Sequence, residues 1–140
     1  MDFKVDDCIF FQLAKASQAG SKFWSNCVSK YNLTAVQGMV MNFLGQKDDI
    51  TASELGKRTG LDSATLTGII DRLEAAALME RKRHPEDRRA IRVCLTDKGR
   101  ETAGDLYDMA AEANRSFLSS LSPEEAYMLK DLLSKVRGIS

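Results

Sequence analysis

A chain of 140 residues, 44% hydrophobic and 29% charged, has the size and composition of one ordinary globular domain that can bury a core without disulfide staples. No apolar run approaches the ~20 residues that span a bilayer, and the N-terminal MDFKVDDC is acidic and lacks a signal-peptide core, so no membrane partner and a cytoplasmic address are expected. Cys8, Cys27 and Cys94, an odd number without CxxC spacing, argue against a disulfide framework and a zinc site; the single His84 cannot build a metal cluster alone, so no metal or cofactor is expected.

Apolar residues recur at helical spacing through Ile9, Phe10, Leu13, Ala16, Gly20, Phe23, Trp24, Cys27, Val28 and Tyr31, which predicts one long amphipathic helix. A capping box, Thr34 with Gln37, opens the next helix, TAVQGMVMNFLGQ. Thr51 with Glu54 opens the short ASELGKRT helix, which Gly60 can end in a left-handed turn. Asp62 or Ser63 can cap the helix that follows. Its apolar stripe is Leu66, Ile69, Ile70, Leu73 and Leu78; its other face carries Ser63, Thr65, Thr67, Gly68, Asp71 and Arg72. Two helices joined by a tight glycine-containing turn form a helix-turn-helix candidate.

The period then changes from 3.6 to two. Ile91, Val93 and Leu95 alternate with Arg92 and Cys94, and MERKR supplies an antiparallel partner across a loop of His84, Pro85, Glu86 and Asp87. Thr96 caps a helix through Leu106, Met109, Ala110, Ala113 and Phe117. A third capping box, Ser122 with Glu125 and Pro123 at the first helical position, opens a last helix through Leu129, Leu132, Leu133 and Val136. The expected fold is mainly α: a winged helix-turn-helix of about six helices plus a β-hairpin wing, with extra helices at both ends.

The hairpin also holds the charge anomaly of the chain. Arg81, Lys82, Arg83, Arg88, Arg89 and Arg92 face only Glu86 and Asp87 within twelve residues, although the whole chain has formal net charge zero. Small polar side chains at the N-terminal end of a recognition helix, here Ser63, Thr65 and Thr67 with Arg72 farther along, suit base edges and phosphates in the major groove. Gly68 would let a backbone come close. Arg88 and Arg89 near the wing tip suit an adjacent minor groove, whose narrow A·T-rich form attracts arginine. Arg81, Lys82, Arg83 and Arg92 are placed to hold phosphates, and Asp87 to pair with and aim a neighbouring arginine. Positive charge confined to one turn of an otherwise acidic chain fits a regulator that must not coat DNA indiscriminately. No phosphate-binding glycine loop, GxSxG or HExxH is present, so no enzyme is expected. A protein-docking winged helix needs no arginine-tipped wing.

The stretch LDSATLTGIIDRLEAAALMERKRHPEDRRAIRVCLTDKG closely resembles the signature region of the MarR family of bacterial and archaeal regulators. That family's wing reads Asp-x-Arg, then a strand ending Leu-Thr, then Gly; here these are Asp87-Arg88-Arg89, Leu95-Thr96 and Gly99. The resemblance covers nearly the whole chain, treated as one domain. It implies a homodimer through residues 1–31 and 100–140, a DNA-binding lobe over 34–99, and a pseudo-palindromic double-stranded operator with half-sites ~34 Å apart. Arg89 becomes the minor-groove probe, oriented by Asp87. The implied function is sequence-specific transcriptional regulation, as a repressor released by a small aromatic or phenolic effector. Phe23, Trp24, Tyr31, Met39, Met41 and Phe43 are the nearest candidates for its pocket. The alternative is oxidant sensing through Cys8. The cysteine of the peroxide-sensing branch falls on Phe10, however, and Cys8 lies about 200° around the helix from it. The tyrosines supporting that cysteine are replaced, among others by Trp24 and Ala35.

Overall fold

The computed structural model describes residues 2–83, 85–87 and 90–138. Helix α1 spans Ile9–Val28, where regular α geometry ends; a 3-10 turn, Ser29–Tyr31, carries the chain to Asn32 in the left-handed region at φ 58°. The predicted single helix to Tyr31 is therefore two pieces, because Asn32 must redirect the chain so that Leu33 enters the core.

Helix α2, Ala35–Gln46, starts with the predicted capping box in full: Gln37 N–H donates to Thr34 Oγ1 at 3.3 Å and Thr34 N–H to Gln37 Oε1 at 3.0 Å. This explains why a glutamine is buried among Val40, Met41 and Leu44. Burial of each such aliphatic side chain contributes about 1.5–3 kcal/mol. Trp24 Nε1 donates to the Ala35 carbonyl at 3.0 Å and fixes α1 against α2.

Strand β1, Ile50–Thr51, leads into α3, Ala52–Thr59. Thr51 caps α3 by accepting from Glu54 N–H, but the expected return bond is replaced: the Glu54 carboxylate takes Lys47 Nζ at 2.7 Å. An ammonium within reach is a stronger partner for a carboxylate than a neutral amide. Gly60, at φ 74°, ends α3 as predicted. Helix α4, Ser63–Ala75, buries Leu66, Ile69, Ile70 and Leu73.

Strands β2, Met79–Arg83, and β3, Ile91–Leu95, form the hairpin, with Arg81 opposite Val93 and Met79 opposite Leu95. The sheet has three antiparallel strands in the order β1-β3-β2, since Ile50 pairs with Val93 on the far side of β3. The two residues of β1 are too few to show a period in the sequence.

Helix α5, Asp97–Phe117, packs on α1 and α2, and α6, Pro123–Val136, follows with both halves of its capping box formed. Helix α6 buries none of its residues. Phe10 is 77% exposed and Val136 64%. The chain exposes 9958 Å², against roughly 7,200 Å² for a compact monomer of this mass. Among the described residues, no helix is long and apolar enough to cross a membrane.

Candidate nucleic-acid interface

Asp62 caps α4; of the two capping candidates, Ser63 instead becomes the first helical residue. Asp62 Oδ1 accepts from Thr65 N–H at 2.8 Å and Oδ2 accepts from the Thr65 hydroxyl at 2.9 Å. These two bonds, the backbone one first, hold the Asp62 carboxyl below the usual aspartate range. The Thr67 hydroxyl donates to the Ser63 carbonyl at 2.8 Å. Both threonine protons are thus committed within the helix, and each oxygen keeps lone pairs facing outward. Ser63, Thr65, Thr67 and Arg72 are all exposed on α4, and a β-carbon at Gly68 would meet open space.

The wing strands divide the predicted phosphate anchors. Lys82 and Arg83 are exposed. Arg81 is not aimed outward: its guanidinium pairs with Asp71 and with Glu74, the latter at 2.8 Å, and its backbone N–H donates to Glu74 Oε2 at 3.1 Å. Arg92 is likewise held, donating to Asp49 Oδ2 at 2.6 Å and to the Asp49 carbonyl at 3.2 Å. Arg81 and Arg92, expected as phosphate anchors, are therefore both ion-paired within the chain, Arg81 to carboxylates seven and ten residues before it and Arg92 to one 43 residues before it. At the tip, the Asp87 carbonyl accepts from Ala90 N–H at 3.1 Å. Arg88 and Arg89 lie outside the described residues.

Asp48 and Asp49, not singled out in the sequence, clamp the returning strand. Asp48 Oδ1 accepts from Leu95 N–H at 2.8 Å and Oδ2 faces Arg100; Asp49, in the left-handed region at φ 57°, also accepts a hydrogen bond from the Cys94 thiol at 3.0 Å. The bond from Cys94 is the main cause of a lowered Asp49 pKa, with Arg92 adding to it. Burial, then the Asp49 carboxylate, push the Cys94 thiol up to about 11. The signal that could have found this clamp is weak: consecutive aspartates after a helix usually mean a solvated turn.

The six residues named as candidates for one effector pocket do not line a common cleft. Phe23 and Tyr31 line a cleft of about 670 Å³ between α1 and α5, with Asp105, Asp108 and Glu112 on its rim. Trp24 and Met39 line a separate cleft of about 180 Å³ with Asn42, Ala110 and Asn114. Phe43 lines neither; the Arg58 guanidinium lies 6.0 Å over its ring. Met41 is fully buried core. Burial, with Asp105 nearby, raises the Tyr31 hydroxyl pKa. Asn42 Oδ1 is buried and has no hydrogen-bond partner among the described residues. Cys8 caps α1 through its backbone and is half-buried, directly after Asp6 and Asp7 in a 3-10 turn.

The profile described as MarR family matches residues 33–91, which run from the start of α2 to the first residue of β3. The regulator MhqR of Bacillus subtilis is 30% identical over 129 residues, covering 91% of this chain and 88% of its own length. The chain spans 66% of TtmR of Methylorubrum extorquens and 60% of YdgJ of Bacillus subtilis, so it covers less than two thirds of these relatives. BpsR of Bordetella bronchiseptica, whose DNA binding is regulated by 6-hydroxynicotinic acid, matches with TM-score 0.90 and 27% identity over 98% of both chains. A mutant MarR from E. coli, solved with operator DNA, matches with TM-score 0.86 and 25% identity over 96% of this chain and 99% of that one. The profile over residues 33–91 and a relative 30% identical over most of both chains show that the chain belongs to the MarR family of transcriptional regulators.

Proposed function

We propose that this protein is a homodimeric, sequence-specific regulator that binds double-stranded DNA in the cytoplasm and acts as a repressor released by a small aromatic or phenolic ligand. The observation that carries the reading is the placement of Ser63, Thr65 and Thr67, exposed at the start of α4, beside a wing whose Lys82 and Arg83 are also exposed. With their protons committed, Thr65 and Thr67 meet the major groove as acceptors and methyl groups. They therefore suit the amino groups of adenine or cytosine and the methyl of thymine. Lys82 and Arg83 bind phosphates, and Arg88 and Arg89 enter the minor groove with Asp87 aiming Arg89. Residues 34–99 form the reading lobe.

Two apolar ends support the dimer. Phe10, Leu132 and Val136 are exposed on α1 and α6, and the excess of exposed area over a compact monomer is of the order that a stable dimer covers. Residues 1–31 and 100–140 would join the subunits and space two reading lobes for a pseudo-palindrome. For the effector, Asn42 Oδ1 supplies an unsatisfied acceptor beside Trp24 and Met39, which suits a phenol whose hydroxyl donates and whose ring packs on the indole. The position of the peroxide-sensing cysteine is held by Phe10 rather than Cys8, so the ligand reading leads over oxidant sensing.

The test is binding to the DNA upstream of the protein's own gene across a salt series. Wild type shows a steep salt dependence, Arg89→Ala loses most of the specific affinity, and Thr65→Ala relaxes base preference. Equal binding of every duplex by wild type and Arg89→Ala would refute the wing assignment.

A further inference from the structure

We infer that Arg81 is a positioning residue, a bracket that holds the wing at a fixed angle to the recognition helix and thereby sets base selectivity. The inference rests on the DNA-binding reading above. Asp71 and Glu74 lie toward the C-terminal end of α4, where the helix dipole is negative and carboxylates are disfavoured. Their counter-charge comes from outside the helix. The Arg81 guanidinium takes one oxygen of each, and Glu74 also receives the Arg81 backbone N–H, so a single carboxylate grips both the main chain and the side chain of a β2 residue.

This geometry restrains more than a charge pair would. A planar fork on two carboxylates of one helix fixes orientation, whereas an ammonium contributes only a point charge. The strand side is equally firm, because Arg81 pairs in the ladder with Val93, which is fully buried. The Arg81 side chain is 27% exposed, in contrast to its exposed neighbours Lys82 and Arg83. Helix α4 and the wing must engage one half-site together, in neighbouring grooves. A change in the angle between them costs the base contacts, while the phosphate contacts of non-specific binding tolerate it.

A bracket and a phosphate anchor predict opposite results for Glu74→Gln. If Arg81 were an anchor restrained by Glu74, removing the carboxylate would release a cation and tighten binding to every duplex. As a bracket, it weakens binding to the recognised sequence alone. The experiment is fluorescence anisotropy on the full chain with two duplexes, one selected from a random pool by wild type and one its shuffled counterpart, each titrated across a salt series. Glu74→Gln and Arg81→Lys should each lose roughly tenfold on the selected duplex, with less than about a twofold change on the shuffled one and an unchanged salt slope. Full rescue by Arg81→Lys, a slope reduced by about one, or tighter binding of both duplexes by Glu74→Gln overturns the assignment. Wild type that binds both duplexes alike overturns the DNA-binding reading and this inference with it. Thermal melts run in parallel identify any unfolded variant; Glu74 is exposed, and Asp71→Asn supplies a second surface change with the same expected pattern.

Discussion

Gly99 lies so close to Leu78 that a β-carbon on it would sit 1.9 Å from the Leu78 carbonyl oxygen. That oxygen accepts from Thr96 N–H at 3.1 Å, and the Thr96 hydroxyl donates to the Ala77 carbonyl at 2.6 Å while accepting from Gly99 N–H at 3.0 Å. The turn after α4 and the start of α5 are tied in one knot, so Gly99 is a packing requirement at this position.

Gly99→Ala must therefore push two backbone segments apart. It should lower stability by about 3 kcal/mol, a fall in Tm of roughly 10 °C for a chain of this length. Differential scanning fluorimetry reads it directly, and an unchanged Tm would mean the close approach is not present in solution.

The apolar stripe of α6 predicts a subunit contact. Leu132→Asp with Leu133→Asp should convert a dimer to a monomer in light scattering, because two carboxylates cannot be buried unpaired in an apolar interface. Wild-type Tm should rise with protein concentration and that of the variant should not.

Cys94 should be chemically quiet. At pH 8 its thiol, buried and raised to about 11, keeps its proton, so iodoacetamide should label the half-buried Cys8 and Cys27 first, as mass spectrometry can follow. The linkage sign follows from the same shift. Below the unfolded thiol value of about 8.5 both states hold the proton. Between there and about 11 only the unfolded chain releases it, so the contribution of Cys94 to stability fades as pH rises through that window. Asp49→Asn should speed labelling of Cys94.

Asp62 should give the opposite pH dependence. Its carboxyl is depressed by Thr65, so its contribution is present above the unfolded aspartate value of about 3.9 and is lost as pH falls through the lower folded value. Asp62→Ala should lower Tm at pH 7, and its Tm should converge on that of wild type in acid. A difference that does not shrink at all as pH falls below the reference value of about 3.9 would place its origin elsewhere.

Local chemistry was readable in advance. Thr34 with Gln37, Ser122 with Glu125 and Gly60 act within one turn of their own chain, so spacing alone determined those helix ends. The change from a period of 3.6 to two announced the hairpin, and the apolar stripe of Leu66, Ile69, Ile70 and Leu73 announced the buried face of α4. What the fold alone decided are the contacts between different elements of the chain. Glu54 was taken from its capping box by Lys47, β1 was recruited to β3, and Phe23 and Tyr31 were placed in a different cleft from Trp24. The charge of the wing changed most. A count of residues cannot tell an arginine bound for phosphate from one bound for a carboxylate, because the difference lies in whether Asp71 and Glu74, or Asp49, arrive within a hydrogen bond of it. Residue type and spacing determined that this region is basic; only packing determined that Arg81 and Arg92 hold the protein together while Lys82 and Arg83 remain exposed.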